Sequence, residues 1–258
     1  MELKLTFLGT GTSQGVPIIG CHCEVCMSDD HRDNRLRSSV YIEYMGLRLL
    51  IDAGPDFRQQ VLRAKIENLD AILLTHQHKD HIAGLDDVRA FNHINGKAVD
   101  IYAEERVHQA LKCEFSYAFE EVKYPGVPDF ALHAIDEHSF TIGEVRIEPV
   151  RVWHALLPIL GFRIGDLVYI TDANRIEESE LSKLKGVSVL VINALRVKPH
   201  ISHFTMEEAI AIAQKVGAKE TYLTHLSHRS GLHAELEKEL PFSIKPAYDG
   251  LIISAYGQ

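Results

Sequence analysis

Four metal-binding side chains crowd into one short run, Thr75-His76-Gln77-His78-Lys79-Asp80-His81. It follows an apolar run, Ala71-Ile72-Leu73-Leu74, which reads as a buried strand. Side chains alternate along a strand, so His76 and His78 can share one face at its end. Asp80 and His81 fall after the strand and can turn toward a second point. One run therefore supplies donors for two adjacent cations. Without cations, several ionisable groups would converge unpaired, which is costly. A chain carrying this run must bring further donors to the same place.

Those donors are expected at other strand ends. Trp153-His154 follows the strand through Val150, Asp172 ends the strand Val168–Thr171, and His225 ends the strand Thr221–Leu223. Each alone is weak, because a lone strand-end histidine is more often a packed or surface residue than a ligand. With the opening run they complete two coordination shells. Asp52, at the end of Leu49-Leu50-Ile51, is read either as a carboxylate holding a ligand histidine or as a strand-ending turn residue.

The pattern of His76, His78, Asp80 and His81, followed by His154, Asp172 and His225, resembles the metallo-β-lactamase superfamily. The resemblance covers nearly the whole chain. It implies an α/β fold, an αββα sandwich of two mixed β-sheets flanked by helices, with the metals at one edge of both sheets. Carried over by position, it implies that His76, His78 and His154 hold one metal and Asp80, His81 and His225 the other, with Asp172 bridging. Aspartate at the bridging place resembles the hydrolase branch rather than the true β-lactamases, which commonly have cysteine there. Two divalent cations about 3.5–4 Å apart lower the pKa of a bridging water and stabilise charge on a phosphoryl oxygen. Zinc, manganese or iron fits this mostly hard N/O donor set.

A second cluster is Cys21-His22-Cys23-Glu24-Val25-Cys26, three of the four cysteines within six residues, while Cys113 stands apart. In a reducing compartment clustered thiols bind zinc more often than they form disulfides. His228, three residues after His225, is the proposed fourth donor, with His22 as the local rival. Cys21, Cys23, Cys26 and His228 would make a closed tetrahedral site, hence one structural zinc. The run Gly9-Thr10-Gly11-Thr12-Ser13-Gln14-Gly15-Val16-Pro17, the cysteine run and Thr224-His225-Leu226-Ser227-His228 narrow the resemblance to the branch of cyclic phosphodiesterases of the carbon–phosphorus lyase pathway. That branch acts on phosphoribosyl cyclic phosphate. The glycine run lacks the Gly-Lys-Ser/Thr of a nucleotide-binding loop. It is expected to form a tight turn beneath the metals.

The resemblance implies a phosphodiesterase that hydrolyses a small, cyclic phosphodiester by attack of the bridging hydroxide. His203, in Ser202-His203-Phe204-Thr205, aligns with a family histidine assigned to phosphate binding and proton donation. It precedes a helix start where an anion is favoured. His200 is the local competitor. His203 and Asp80 are the catalytic candidates.

The rest of the chain supports one domain over residues 1–258, with no linker rich in Pro, Gly or Ser. Strands are expected at Leu3–Phe7, Val40–Tyr44, Leu47–Ile51, Val99–Ala103, Phe140–Ile142, Val145–Val150, Gly161–Ile164, Leu167–Thr171 and Val187–Ile192. Helices are expected at Asp56–Lys65, Gly84–Phe91, Glu104–Lys112, Glu177–Leu184 and Leu232–Glu239. Another opens on the capping pair Thr205 and Glu208 and ends at Gly217. Residues 113–139 read as a partly irregular insert that could cover a site, and Asp249-Gly250 reads as the turn of a final hairpin. Leu49-Leu50-Ile51-Asp52-Ala53-Gly54 echoes Val168-Tyr169-Ile170-Thr171-Asp172-Ala173.

Charge and hydropathy bound the partners. A net charge of −9 argues against broad nucleic-acid binding, which needs a basic surface. No apolar stretch approaches the ~20 residues of a membrane span. The start Met1-Glu2-Leu3-Lys4-Leu5 lacks the apolar core of a signal peptide, so a cytoplasmic location is expected. A homodimer is compatible with the chain. The competing readings are a tRNA 3′-processing endonuclease, a thioesterase of the glyoxalase type, and a metal-binding protein without turnover.

Overall fold

The computed structural model of the protein describes residues 1–256. The first sheet collects β1 (Glu2–Gly9), β2 (Ser39–Tyr44), β3 (Leu47–Ile51), β4 (Ala71–Leu73), β5 (Val99–Ala103) and β6 (Phe130–Ala134) in that spatial order. The second holds β7 (Phe140–Ile142), β8 (Val145–His154), β9 (Leu157–Ile164), β10 (Leu167–Ile170), β11 (Arg175–Ile176), β12 (Val189–Asn193), β13 (Glu220–Thr224) and β14 (Ile244–Pro246). Its order is β11-β8-β9-β10-β12-β13-β14, with β7 on the flank of β8. Finally β15 (Ile252–Tyr256) returns to the first sheet beside β1. Both sheets are mixed: each has antiparallel pairs on one side and a parallel run, β3-β4-β5-β6 or β10-β12-β13-β14, on the other.

The two-residue period of the strands builds the layers. Leu49, Ile51 and Leu73 point inward against Leu160, Phe162, Ile164 and Tyr169 of the facing sheet. Their neighbours Leu50 and Ile72 point outward to a layer of α1 (Phe57–Ala64), α2 (Lys79–Ile82), α3 (Arg89–Asn95) and α4 (Glu105–Glu114). On the other side Val168, Ile170, Leu190 and Ile192 meet α5 (Glu178–Leu184), α6 (Met206–Val216) and α7 (His233–Glu239). Each buried Leu, Ile or Val contributes roughly 1.5–3 kcal/mol of transfer free energy. The result is the helix–sheet–sheet–helix sandwich of the metallo-β-lactamase fold.

Several expectations change. The 113–139 stretch is partly irregular, as expected, but it also contains β6, which extends the first sheet past β5. Its apolar residues Phe130 and Leu132 pack on the helix layer, a long-range pairing that local periodicity does not show. The expected helix at Gly84–Phe91 is a 3-10 turn, Leu85–Val88, running into α3. The strands around 150 and 161 are longer and form one hairpin, β8–β9, with Ala155 at its tip in a left-handed conformation (φ 55°). Asp249-Gly250 does not turn a hairpin. It carries the chain from β14 in one sheet to β15 in the other. The buried Asp249 carboxylate fastens that crossing by accepting from Thr10 N (2.9 Å), Thr10 Oγ1 (2.8 Å) and Leu36 N (2.8 Å). The capping box at Thr205 and the Gly217 terminus form as the sequence predicts.

Candidate metal centre

The opening run folds as its local signals require. After β4, Leu74 N still donates to Tyr102 O (3.0 Å), and Thr75 and His76 leave the sheet edge fully buried. α2 starts directly after His78, so Asp80 and His81 project from its first turn. His81 is buried, and His78 faces solvent at the mouth. His154 arrives on the end of β8, Asp172 just past β10, and His225 just past β13. The imidazoles then form one cluster. Ring centres lie 4.2 Å apart for His76 and His81, 4.5 Å for His76 and His78, 5.1 Å for His78 and His154, and 6.3 Å for His81 and His225. His203 joins them, 4.7 Å from His154 and 4.8 Å from His225.

Donor atoms approach within 4.8 Å in three groups: His76, His81 and Asp172; His154, Asp172 and His203; Asp80, Asp172 and His225. Asp172 belongs to all three and lies at the centre. This grouping by distance pairs His81 with His76 and His203 with His154, whereas the family resemblance places His76 with His78 and His154. His78 stands in none of the three groups, with only its ring approaching theirs.

The donors fit divalent cations. Nε2 of His76 and of His225 is buried without a hydrogen-bond partner. Nε2 of His81 faces the carboxylates of Asp80 (3.2 Å) and Asp172 (3.4 Å). Unpaired imidazole nitrogens beside two carboxylates, in a buried site, are costly unless a cation takes their lone pairs. Electrostatics without a cation points the same way. Burial opposes ionisation of Asp172, yet His225 and His81 hold its carboxyl well below the usual range. Burial also opposes charge on His81, yet Asp80, Asp172 and Asp52 hold its imidazole well above the usual value. Burial pushes His76 far below its ordinary value.

Outer groups orient the ring nitrogens. Asp52, fully buried, accepts from His81 Nδ1 (2.7 Å), Thr75 N (2.9 Å) and Thr75 Oγ1 (2.9 Å). His154 Nδ1 donates to Asp172 O (2.7 Å), which aims its Nε2 inward. Thr75 Oγ1 lies 2.9 Å from His76 Nδ1, and Ser38 Oγ lies 3.1 Å from His225 Nδ1. The sequence reading missed Thr75 and Ser38. Thr75 stood inside the motif, but Ser38 is 187 residues from its partner and carries no local signal. Asp52, Asp172 and His225 all have left-handed backbones, with φ of 63°, 58° and 55°. Strain of this kind clusters at functional sites. Glu104 ties the sheets beside the cluster, bonding Arg151 (2.6 Å) and Arg106 (2.6 Å), and Arg106 Nη1 donates to Gln77 Oε1 (3.0 Å).

The glycine run forms the expected tight turn, Gly15 N donating to Thr12 O (2.8 Å) with Gly15 left-handed (φ 67°), and it also packs closely against the site. Gly11 bridges Arg37 on one side and Leu226, next to His225, on the other. A Cβ there would meet Arg35 O at 2.8 Å.

The cysteine cluster is a separate centre. Sγ of Cys21, Cys23 and Cys26 lies 3.2, 3.4 and 3.6 Å from His228 Nδ1. Bonds of about 2.0–2.3 Å in a tetrahedral zinc site give ligand-to-ligand edges of roughly 3.5 Å. His22 is exposed and takes no part. Burial pushes the Cys26 thiol up to about 11, while the Cys26 backbone N–H pulls Cys23 down. These donors fit one four-coordinate ion with no open position.

Residues 47–226 match the family model described as the β-lactamase superfamily domain. A solved structure described as a new diphosphatase from the PhnP family superposes with a TM-score of 0.92 at 42% identity, covering 98% of this chain and 97% of that one. The chain belongs to the PhnP family of the β-lactamase superfamily. Relatives whose names state hydrolysis, a diphosphatase and a ribonuclease Z among them, share this fold. A Porphyromonas gingivalis protein named octanoyltransferase is 44% identical over 252 residues. The match takes 96% of this chain but 51% of that protein, so the chain spans about half of its length. Ribonuclease Z of Pyrobaculum neutrophilum is 25% identical over 294 residues, covering 95% of this chain and 93% of that enzyme.

Proposed function

We propose that the protein is a dinuclear metal-dependent phosphodiesterase acting on a small, cyclic phosphodiester. The observation that carries this reading is the place of Asp172, whose carboxylate is common to all three donor groups. A carboxylate there can serve two cations at once, with His76, His78 and His154 around one and Asp80, His81 and His225 around the other. Zinc or manganese suits these donors, and the Cys21, Cys23, Cys26 and His228 set suits one structural zinc. When bound, the active-site cations supply Lewis acidity toward a phosphoryl oxygen and activation of a water.

The chain's own residues do the rest. Asp52 and the Asp172 carbonyl fix which nitrogens of His81 and His154 face the site. Asp80, next to His81, places negative charge beside the cation site. His203 is buried among His154, His225 and Asp172, and burial, followed by His225, pushes its imidazole down to about 3. In the free site it is therefore neutral and offers an N–H to a phosphoryl oxygen. A bound phosphodiester anion favours its protonated form, from which a proton passes to the leaving alkoxide oxygen. His200 is set back, its ring 5.1 Å from that of His203 and its Nδ1 accepting from Ser202 N. The expected help from the α6 helix start is reduced, because Glu208 already occupies it by accepting from Thr205 N (2.8 Å).

Small substrates are favoured by the net charge of −9 and by the lack of a basic arm in the sequence. No helix among the described residues is long and apolar enough to cross a membrane. We take the chain to act as one domain in the cytoplasm, as a monomer or homodimer. The name of the 42% identical relative favours one second reading, cleavage of a diphosphate bond by the same groups.

The test is turnover by manganese- or zinc-loaded protein of bis(p-nitrophenyl) phosphate, a 2′,3′-cyclic nucleotide, a dinucleoside diphosphate, a precursor tRNA and a glutathione thioester. Cyclic diester turnover is the expected result. Turnover of the diphosphate alone moves the reaction to the anhydride bond, and cleavage of the tRNA alone moves it to the ribonuclease Z reading. Absence of any diester turnover overturns the proposal.

A further inference from the structure

The metal centre needs Asp172 in a conformation that its own strand cannot hold. β10 pairs with β12 up to Ile170 opposite Ile192. Past that rung Asp172 turns left-handed (φ 58°), and Ala173 leaves the ladder. Its buried N–H would have no partner and its C=O only Phe204 N, a costly state for backbone groups. The side chain of Asn193, the last residue of β12, replaces the missing rung. Its Oδ1 accepts from Ala173 N (2.8 Å), and its Nδ2 donates to Ala173 O (2.9 Å). Asn193 and Ala173 are both fully buried.

We propose that Asn193 is the positioning residue of the metal centre. Three lines meet at the peptide it holds. Ala173 follows Asp172 directly, so the clamp fixes the turn that carries the central carboxylate. Asp172 O accepts from His154 Nδ1, so the same turn orients that imidazole. Ala173 O also accepts from Phe204 N (2.7 Å), which anchors the residue next to His203. Ala194 N, one residue on, donates to Thr224 O (2.9 Å), beside His225. A primary amide of this length presents one donor and one acceptor at the spacing of a peptide group. Aspartate keeps the acceptor and the volume but sets a carboxylate oxygen against Ala173 O. Alanine leaves Ala173 N–H unpaired and Ala173 O with Phe204 N alone. Asn193 touches no reacting atom, so it acts only through Asp172, His154 and His203.

The experiment compares wild type with Asn193→Asp and Asn193→Ala, each purified metal-free and titrated with cobalt(II). Thiolate charge-transfer absorption reports the cysteine centre, and ligand-field bands report the histidine–aspartate centre, independently of any substrate. The expected result is a wild-type thiolate signal together with about 10–100-fold weaker binding and altered ligand-field bands at the other centre. Wild-type affinity and spectrum at both centres in Asn193→Asp would overturn the proposal, as would loss of both signals in both variants, which assigns Asn193 to the fold itself. If Asn193→Ala alone fails to fold, Asn193→Asp decides. These readouts hold whether or not the substrate is a phosphodiester, so the proposed reaction can fail without touching this result.

Discussion

Replacing Asp52 by asparagine separates metal assembly from folding. In the wild type one oxygen of Asp52 accepts from Thr75 N, and the other from Thr75 Oγ1 and His81 Nδ1. In Asp52→Asn the amide oxygen keeps Thr75 N, and the NH2 group lands where two donors pointed. The Thr75 hydroxyl can rotate and accept. The His81 Nδ1–H cannot, so its proton moves to Nε2 or its ring turns away. Nε2 is the atom that faces Asp80 at 3.2 Å and Asp172 at 3.4 Å, and a proton there blocks cation binding. Loss of such an outer partner weakens metal binding about 10–100-fold. That is roughly 1.4–2.7 kcal/mol. Without metal the balance differs. The substitution removes a buried charge but also a hydrogen bond to a charged group with a net value of about 1.5–3 kcal/mol. The metal-free melting temperature should shift by only a few degrees, at about 2–4 °C per kcal/mol for a chain of this size class. The assay is a chelator-competition titration, with thermal melts of the metal-free and loaded forms. An Asp52→Asn protein with wild-type active-site metal affinity would refute the reasoning, and so would a metal-free form as damaged as the loaded one.

Three further outcomes are expected. His228→Ala should release the cysteine-bound ion to a chelator and expose Cys21, Cys23 and Cys26 to a thiol reagent, leaving the histidine–aspartate centre loaded; slow thiol reaction and retained zinc would contradict the four-donor site. His203→Gln should lower kcat by about 10²–10⁴-fold on diesters with alkyl leaving groups and much less on p-nitrophenyl esters; equal losses on both would remove its role in protonating the leaving group. Burial, followed by Arg35 and Arg32, pushes His233 down to about 4, so the unfolded chain binds more protons than the folded one between about pH 4 and 6.5. Stability should therefore fall as the pH drops through that window, by up to about 1.4 kcal/mol per unit, and His233→Asn should flatten the slope in urea unfolding of chelated protein.

The site was legible in the sequence to the degree that it is local. His76, His78, Asp80 and His81 stand on a strand end and a first helical turn that their own neighbours dictate. The echo between the segments ending at Asp52 and Asp172 is a structural one, since both aspartates leave the fourth strand, in spatial order, of a mixed sheet with left-handed backbones. β6 was missed because its apolar residues follow no clear alternation, and the last turn was misread because a tight Asp-Gly turn does not show which sheet the next strand will join.

By itself the sequence determined the donor types, the period of the strands and the capped helix of the second half, because each depends on residues a few places apart. Tertiary structure alone decided which donors share an ion, and it alone supplied Ser38, Thr75 and Asn193 as their supports. Those contacts are set by the order of strands in two sheets. Strand order brings residues far apart in the chain to one edge, where unpaired buried groups must find partners across the fold.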